Sequence, residues 1–110
     1  MNTNMTHNEV IAFLKNEVGY LDGLTRPYDA MSFTAKEAIA DSKESLGYRL
    51  PNYHYVIQTL GNDHPVSKFL QTETEYYQML IRKRGSIMSE IKHRLPAYRS
   101  LIRQLTEHVI

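Results

Sequence analysis

The stretch RLPNYHYVIQTL at residues 49–60 decides the fold, because it returns 45 residues later as RLPAYRSLIRQL at residues 94–105. Arginine, leucine, proline, tyrosine, isoleucine and leucine stand at the same places in both copies. In each copy apolar side chains follow the tyrosine by three, four and seven positions, which is the spacing of one helix face. The sequence therefore predicts a duplicated helix-corner-helix unit, RLPxYxxφIxxL, whose proline begins the second helix.

Composition predicts a single all-α domain that spans residues 1–110. The chain is 42% hydrophobic and 23% charged, which favours a folded protein over a disordered one. It contains no cysteine, so disulfides and thiolate metal sites are excluded. The polar start MNTNMTHNEV has no apolar segment of the kind found in signal peptides, and no apolar run reaches membrane-spanning length. We expect a cytoplasmic protein with no membrane partner.

The first part of the chain predicts one helix and one loop. Thr6 and Glu9 form a capping box, and helical apolar spacing follows from about residue 7 to Tyr20. Residues 22–33 contain glycine and proline and are interpreted as a loop. Because this loop carries Leu24 and three further large apolar residues, we expect it to fold back over the core, with docking to a partner as the alternative.

The remaining pattern predicts four more helices, which gives a small bundle of about five. A second capping box opens a helix at residues 34–46, ended by Gly47. Pro51 opens a helix at residues 51–60, ended by Gly61. A long amphipathic pattern predicts a helix at residues 65–94, or two shorter helices if the chain breaks at Gly85. Pro96 starts the last helix. An unbroken helix of residues 65–94 projects beyond its own core, which favours a homodimer.

Charge is unevenly distributed although the net charge is only +1. Residues 1–75 hold six Lys and Arg against ten Asp and Glu, whereas residues 76–110 hold seven against two. An excess of cations at one end attracts an acidic partner. The candidate binding residues for a protein partner or a nucleic acid are therefore these seven: Arg82, Lys83, Arg84, Lys92, Arg94, Arg99 and Arg103.

Nucleic-acid binding is the alternative function. The seven cations fall within 22 residues and tyrosines are interspersed, so phosphate contacts and base stacking are chemically available. Residues 34–60 also have the dimensions of a helix-turn-helix. Lys43 stands where such a motif needs a small buried residue, and the near-neutral balance argues against a strong non-specific binder.

Patterns for catalysis and for metals are weak. The histidines lack zinc-ligand spacing. One Glu-x-x-His occurs at Glu90 and His93, whereas a di-iron bundle needs two such motifs and two further glutamates, so no metal or other cofactor is predicted. A small helical enzyme acting on an anionic substrate through Arg82, Lys83 and Arg84 is a remote alternative, and we assign no catalytic residue. Four tyrosines outside the apolar stripes are expected to be exposed, with half-burial at a helix edge as the alternative: Tyr20, Tyr48, Tyr55 and Tyr76.

The sequence as a whole favours a non-enzymatic protein that acts by binding. We expect a small regulatory or inhibitory interaction protein that binds a macromolecular partner as a homodimer. A protein partner needs the fewest assumptions, because tyrosines and amphipathic helices are typical of protein interfaces.

Overall fold

The computed structural model of the protein describes residues 5–29, 35–84 and 87–107, and within them the chain is helical with no strand. The helices are α1 (His7–Asp29), α2 (Ala35–Leu60), α3 (Pro65–Arg82) and α4 (Met88–Glu107). A small all-α bundle is confirmed. The expected count of five helices is wrong, because two of the predicted helices belong to α2.

Helix α2 runs through Gly47 and Pro51, where the sequence predicted a corner. Pro51 is exposed, so the missing backbone hydrogen bond lies on the outer side of the helix, where the free carbonyl group faces solvent. Leu46, Tyr53 and Val56 are all buried and keep one apolar face in phase across the proline. The predicted helix end at Gly47 and the helix-turn-helix at residues 34–60 are therefore wrong.

Proline is also internal in α4, because Pro96 lies inside the helix Met88–Glu107 and is exposed. Buried residues again continue across it, with Ile91 and Leu95 before the proline and Tyr98 after it. We call the two repeat copies, residues 49–60 and 94–105, the RLP segments. Both are helical, as predicted, but neither forms a corner.

Helix α1 is longer than predicted and continues through Gly23 to Asp29. Leu21 and Thr25 are buried and Leu24 packs against the core, so the apolar face persists past the glycine. The expected loop is wrong for residues 22–29, and residues 30–33 lie outside the described chain. The capping box is confirmed, since the Glu9 amide donates to Thr6 Oγ1 at 3.1 Å and the Thr6 amide donates to Glu9 Oε1 at 2.9 Å. The hydrogen bond from the Thr6 amide lowers the pKa of Glu9.

The predicted helix of residues 65–94 is two helices. Helix α3 ends at Arg82, since Lys83 adopts an extended backbone with φ −70° and ψ 145°, and α4 begins at Met88. The break predicted as the alternative is therefore the correct one, and the long helix that favoured a homodimer does not exist. The start of α3 is as expected, with Pro65 first and His64 Nδ1 accepting from the Val66 amide at 3.1 Å.

The four helices alternate in direction and are closely packed in two pairs, α1 with α4 and α2 with α3. The α2–α3 turn is tight because Gly61 adopts a φ of +88°, which fits the predicted helix stop. Lys43 on α2 donates to the Lys83 carbonyl, where α3 ends. His7 Nε2 lies 2.7 Å from the Leu105 carbonyl oxygen and links α1 to the end of α4.

Candidate functional site

Three of the seven predicted cations align on one exposed face of α4. Lys92, Arg99 and Arg103 are separated by seven and four residues, which places them on the same side of a helix about 16 Å apart from end to end. All three side chains are exposed. No hydrogen bond or ion pair joins Arg99 or Arg103 to another residue in the part of the chain that the structure describes, including the Glu107 that the sequence offers one turn beyond Arg103. We call Lys92, Arg99 and Arg103 the basic face.

Three more of the predicted cations lie at the end of α3. Arg82, Lys83 and Arg84 are exposed, and Lys83 Nζ lies 3.0 Å from Glu90 Oε2 in the first turn of α4. The Glu90 carboxylate thus offsets one of these charges. Because α3 and α4 are antiparallel, this cluster lies at the same end of the bundle as Lys92.

Arg94 differs from the other six predicted cations because it is paired with a buried glutamate. Its Nε donates to Glu73 Oε1 at 2.9 Å and its second nitrogen donates to Glu73 Oε2 at 2.5 Å. The guanidinium carbon lies 5.8 Å from the centre of the Tyr76 ring, and the bonds to Glu73 raise the pKa of Arg94. Because the Glu73 carboxylate is buried, Arg94 is a structural residue and is removed from the candidate binding set.

Arg49 on α2 has the same arrangement as Arg94. Its Nε donates to Glu17 Oε1 at 3.2 Å, its second nitrogen pairs with Glu17 Oε2, and its guanidinium carbon lies 4.6 Å from the centre of the Tyr20 ring. Glu17 is fully buried. Tyr20 and Tyr76 are half-buried beneath these arginines, which is the alternative to exposure for these two tyrosines. Sequence reasoning missed both ion pairs, although Glu-x-x-Tyr occurs in α1 and in α3.

A cluster of three tyrosines occupies the centre of the bundle. The Tyr98 hydroxyl lies 2.8 Å from the hydroxyl of Tyr53 and 2.8 Å from that of Tyr77. Burial raises the pKa of all three phenols far above the ordinary value, and the nearby Glu73 carboxylate raises it further. The three hydroxyls thus remain neutral and have a structural role.

The outer side of α2 carries two large exposed aromatic residues. Tyr48 is 71% exposed and Tyr55 is 60% exposed, which confirms the prediction for these two. They are seven residues apart and therefore lie on one side of the helix, with Asn52 between them. Tyr55 and Asn52 also line a cleft of about 210 Å³ between α1 and α2, with the Glu17–Arg49 ion pair in its wall. We call Tyr48, Asn52 and Tyr55 the tyrosine face.

The charge pattern around the tyrosine face differs from that of α4. From Tyr48 to Asn62, all of which the structure describes, His54 is the one exposed residue with an ionisable group other than tyrosine. His54 lies in a separate cleft of about 230 Å³ against α3. The two helices therefore present surfaces of different chemistry, one aromatic with few charges between Tyr48 and Asn62, the other basic.

The described residues contain no group of three or more His, Asp or Glu side chains arranged to hold a metal ion. None of the described helices is long and apolar enough to cross a membrane. Comparisons with protein-family models, with curated proteins and with solved structures give no match to this chain.

Proposed function

We propose that the protein is a small, non-enzymatic regulatory or inhibitory protein that binds an acidic surface of a partner protein through the basic face. The observation that carries this proposal is the pair Arg99 and Arg103, which are exposed, aligned and joined by no ion pair to an acidic side chain within the described residues. Charges that are already satisfied within a protein have little left to offer a partner, whereas these two guanidinium groups are available.

A protein partner is favoured over a nucleic acid by the number of cations left for binding. Arg94 is held by Glu73 and Lys83 is paired with Glu90, so the seven predicted cations provide fewer phosphate contacts than the sequence indicates. The net charge of +1 also gives little long-range attraction to a polyanion. No observation favours the remote enzyme alternative, because Arg82, Lys83 and Arg84 are exposed at a helix end.

The scaffold proposed for this function is a duplicated helical hairpin, in which α3–α4 repeats α1–α2. The matching positions Arg49 and Arg94 each hold a buried glutamate from the preceding helix, which supports the proposal. Val10, Leu14 and Glu17 on α1 are matched by Val66, Leu70 and Glu73 on α3 at one constant spacing, and all are buried. The proposed repeating unit is thus a helical hairpin and not the helix-corner-helix unit. Five residues separate the two helices of each hairpin, and the helices of the first hairpin are the longer ones.

The test is charge reversal on the basic face. The immobilised full chain is used to capture partners from a lysate, and the affinity of each captured protein is then measured for the wild type and for Arg99→Glu/Arg103→Glu. Loss of at least about tenfold in affinity is expected, since charge-assisted contacts are removed and like charges introduced. Lys68→Glu, an exposed lysine on α3, is the control and leaves the affinity unchanged.

A salt series on duplex DNA tests the nucleic-acid alternative. Arg99→Ala/Arg103→Ala is compared with wild type, and Arg94 is left intact because of its contact with Glu73. If the alternative holds, the slope of log affinity against log salt flattens by about 1.8, as expected for two lost phosphate contacts. Absence of DNA binding at low salt eliminates the nucleic-acid alternative. In the charge-reversal test, an unchanged affinity of Arg99→Glu/Arg103→Glu for the partner protein contradicts the primary proposal.

A further inference from the structure

We infer that the cleft between α2 and α3 binds a primary ammonium group carried on a short aliphatic chain. The cleft has a volume of about 230 Å³, and its lining consists of one apolar and five polar residues: Ile57, His54, Gln71, Thr74, Glu75 and Gln78. Pockets for drug-sized ligands are larger, so this cleft suits a small molecule or the end of a longer one. The basic face lies on α4, so failure of either proposal leaves the other standing.

The first argument is a buried hydroxyl group in the wall of the cleft. Thr74 is 7% exposed, and its Oγ1 has no hydrogen-bond partner within the described residues. The hydroxyls of Thr59 and Thr72, in contrast, donate to the carbonyl group one turn back in their own helices. A buried polar group without a partner destabilises the folded chain, so its place in a cleft wall points to a bound molecule as the partner. Because threonine has two favourable rotamers in a helix, rotation about the Cα–Cβ bond presents this hydroxyl to the cleft.

The second argument is the charge of the lining. Glu75 is exposed and forms no ion pair with another described residue, unlike Glu73, which Arg94 holds. None of the six lining residues is a lysine or an arginine. Lys68 and Arg82 stand seven residues before and after Glu75, which is about 10 Å along the helix and about one Debye length in dilute salt. The Glu75 carboxylate therefore disfavours an anion in the cleft and attracts a cation.

The third argument is the number of hydrogen-bond acceptors. Gln71 Nε2 donates to Asn62 Oδ1 at 3.2 Å, which leaves the amide oxygen of Gln71 for a ligand. Together with Thr74 Oγ1 and the Glu75 carboxylate, this oxygen gives three acceptors on adjacent turns of α3. A primary ammonium group has three donors and no acceptor, so it matches this set. Ile57 provides apolar surface for the carbon chain of the ligand.

Titration of the full chain with n-butylammonium chloride, followed by backbone amide chemical shifts, tests the inference. Shift changes are expected at the cleft residues with a dissociation constant of about 1 mM, which is within the limit for so small a ligand. Tetramethylammonium has the charge without a donor, and butan-1-ol has the chain without the charge. Both are expected to bind at least about tenfold more weakly. Equal binding of the three probes, or no shift change at the cleft, overturns the inference.

Two pairs of variants separate binding from the stability of the fold. Glu75→Gln is expected to weaken n-butylammonium binding by at least about tenfold, whereas Glu107→Gln, at an exposed carboxylate on α4, has no effect. Thr74→Val is expected to weaken binding by about fivefold and to raise the midpoint of thermal unfolding, because it removes the unpaired hydroxyl. Ser67→Ala removes a buried unpaired hydroxyl that does not line the cleft, and it leaves binding unchanged. Unchanged binding in either Glu75→Gln or Thr74→Val contradicts the inference.

A further probe identifies the source of the ammonium group. Nα-acetyl-lysine amide carries the same group at the end of a protein side chain. Tighter binding of this probe than of n-butylammonium assigns the cleft to a lysine side chain of a protein, whereas equal or weaker binding assigns it to a free amine.

Discussion

The hydroxyl groups of Tyr53 and Tyr98 lie 2.8 Å apart at the centre of the bundle, although the residues are 45 positions apart in the chain. They occupy the same place in the two RLP segments, and both side chains are fully buried. Tyr98 also bonds to Tyr77, so its hydroxyl joins three helices. The polar centre therefore fixes how α2, α3 and α4 meet.

Removing the Tyr98 hydroxyl is expected to cost more stability than removing that of Tyr53. Tyr98→Phe loses two hydrogen bonds and leaves two buried hydroxyls without their shared partner, at about 2–3 kcal/mol, whereas Tyr53→Phe costs about 1 kcal/mol. Urea unfolding followed by circular dichroism measures both. Tyr55→Phe is the exposed control and changes the free energy of unfolding by less than about 0.5 kcal/mol. Equal costs for Tyr98 and Tyr53 count against the three-residue network.

The two glutamate–arginine pairs are expected to be similarly important to folding. Arg49→Ala and Arg94→Ala each leave a buried carboxylate without its partner, and each lowers the free energy of unfolding by about 2–3 kcal/mol after allowance for the partial exposure of the arginines. Arg94→Lys keeps the charge but loses the two-point contact, so its cost is intermediate. Arg99→Ala is the control, with little effect on the same denaturation curve. An effect of Arg49→Ala or Arg94→Ala no larger than that control would show that the pairs are not structural.

High pH is expected to unfold the protein through its buried tyrosines. The folded state raises the pKa of Tyr53, Tyr77 and Tyr98, mainly by burial, while an unfolded tyrosine ionises near pH 10. Above that pH the unfolded chain releases protons that the folded chain retains, so stability is full below about pH 10 and falls as pH rises. Tyrosinate absorbance and circular dichroism, recorded together, are expected to show these three tyrosines ionising only as helix signal is lost. Their ionisation in a fully helical protein is the contrary result.

Pro51 is expected to destabilise the native helix in which it lies. Pro51→Ala restores a backbone donor to α2 and removes a poor helix former, so we expect a gain of about 1–2 kcal/mol after allowing for the freer unfolded chain. Pro96→Ala is the matched substitution in α4 and is expected to act in the same direction. Thermal and urea unfolding measure both. A loss of stability is the result expected if proline begins a helix at a corner, and it contradicts a continuous α2.

The helical spacing of apolar residues predicted the fold class correctly and the buried residues in part, since Leu101, Ile102 and Leu105 of the second segment are only partly buried. Tyr53, Val56 and Ile57 are buried in the first segment and Tyr98 in the second, as their positions indicated. Local signals with a defined hydrogen-bond pattern also succeeded, as at Thr6, Gly61 and Pro65.

Several helix boundaries predicted from glycine or proline are wrong, although the one at Gly61 is right. Gly23, Gly47 and Pro51 are all inside helices, because packing of a continuous apolar face outweighs the local cost of these residues. At the candidate site, the alignment of Arg99 and Arg103 follows from their spacing alone. The ion pair with Glu73 that removes Arg94 from the candidate binding set could not be predicted, since the two residues lie on different helices and only the packing brings them together.

The close pairing of α1 with α4 has a consequence during synthesis. About sixty residues separate the end of α1 from the start of α4, and a ribosome needs roughly 3–12 s to add them at about 5–20 residues per second. For that interval the apolar side of α1 that α4 will cover has no native partner. Completion of the protein's interior is thus delayed until α4 has left the exit tunnel.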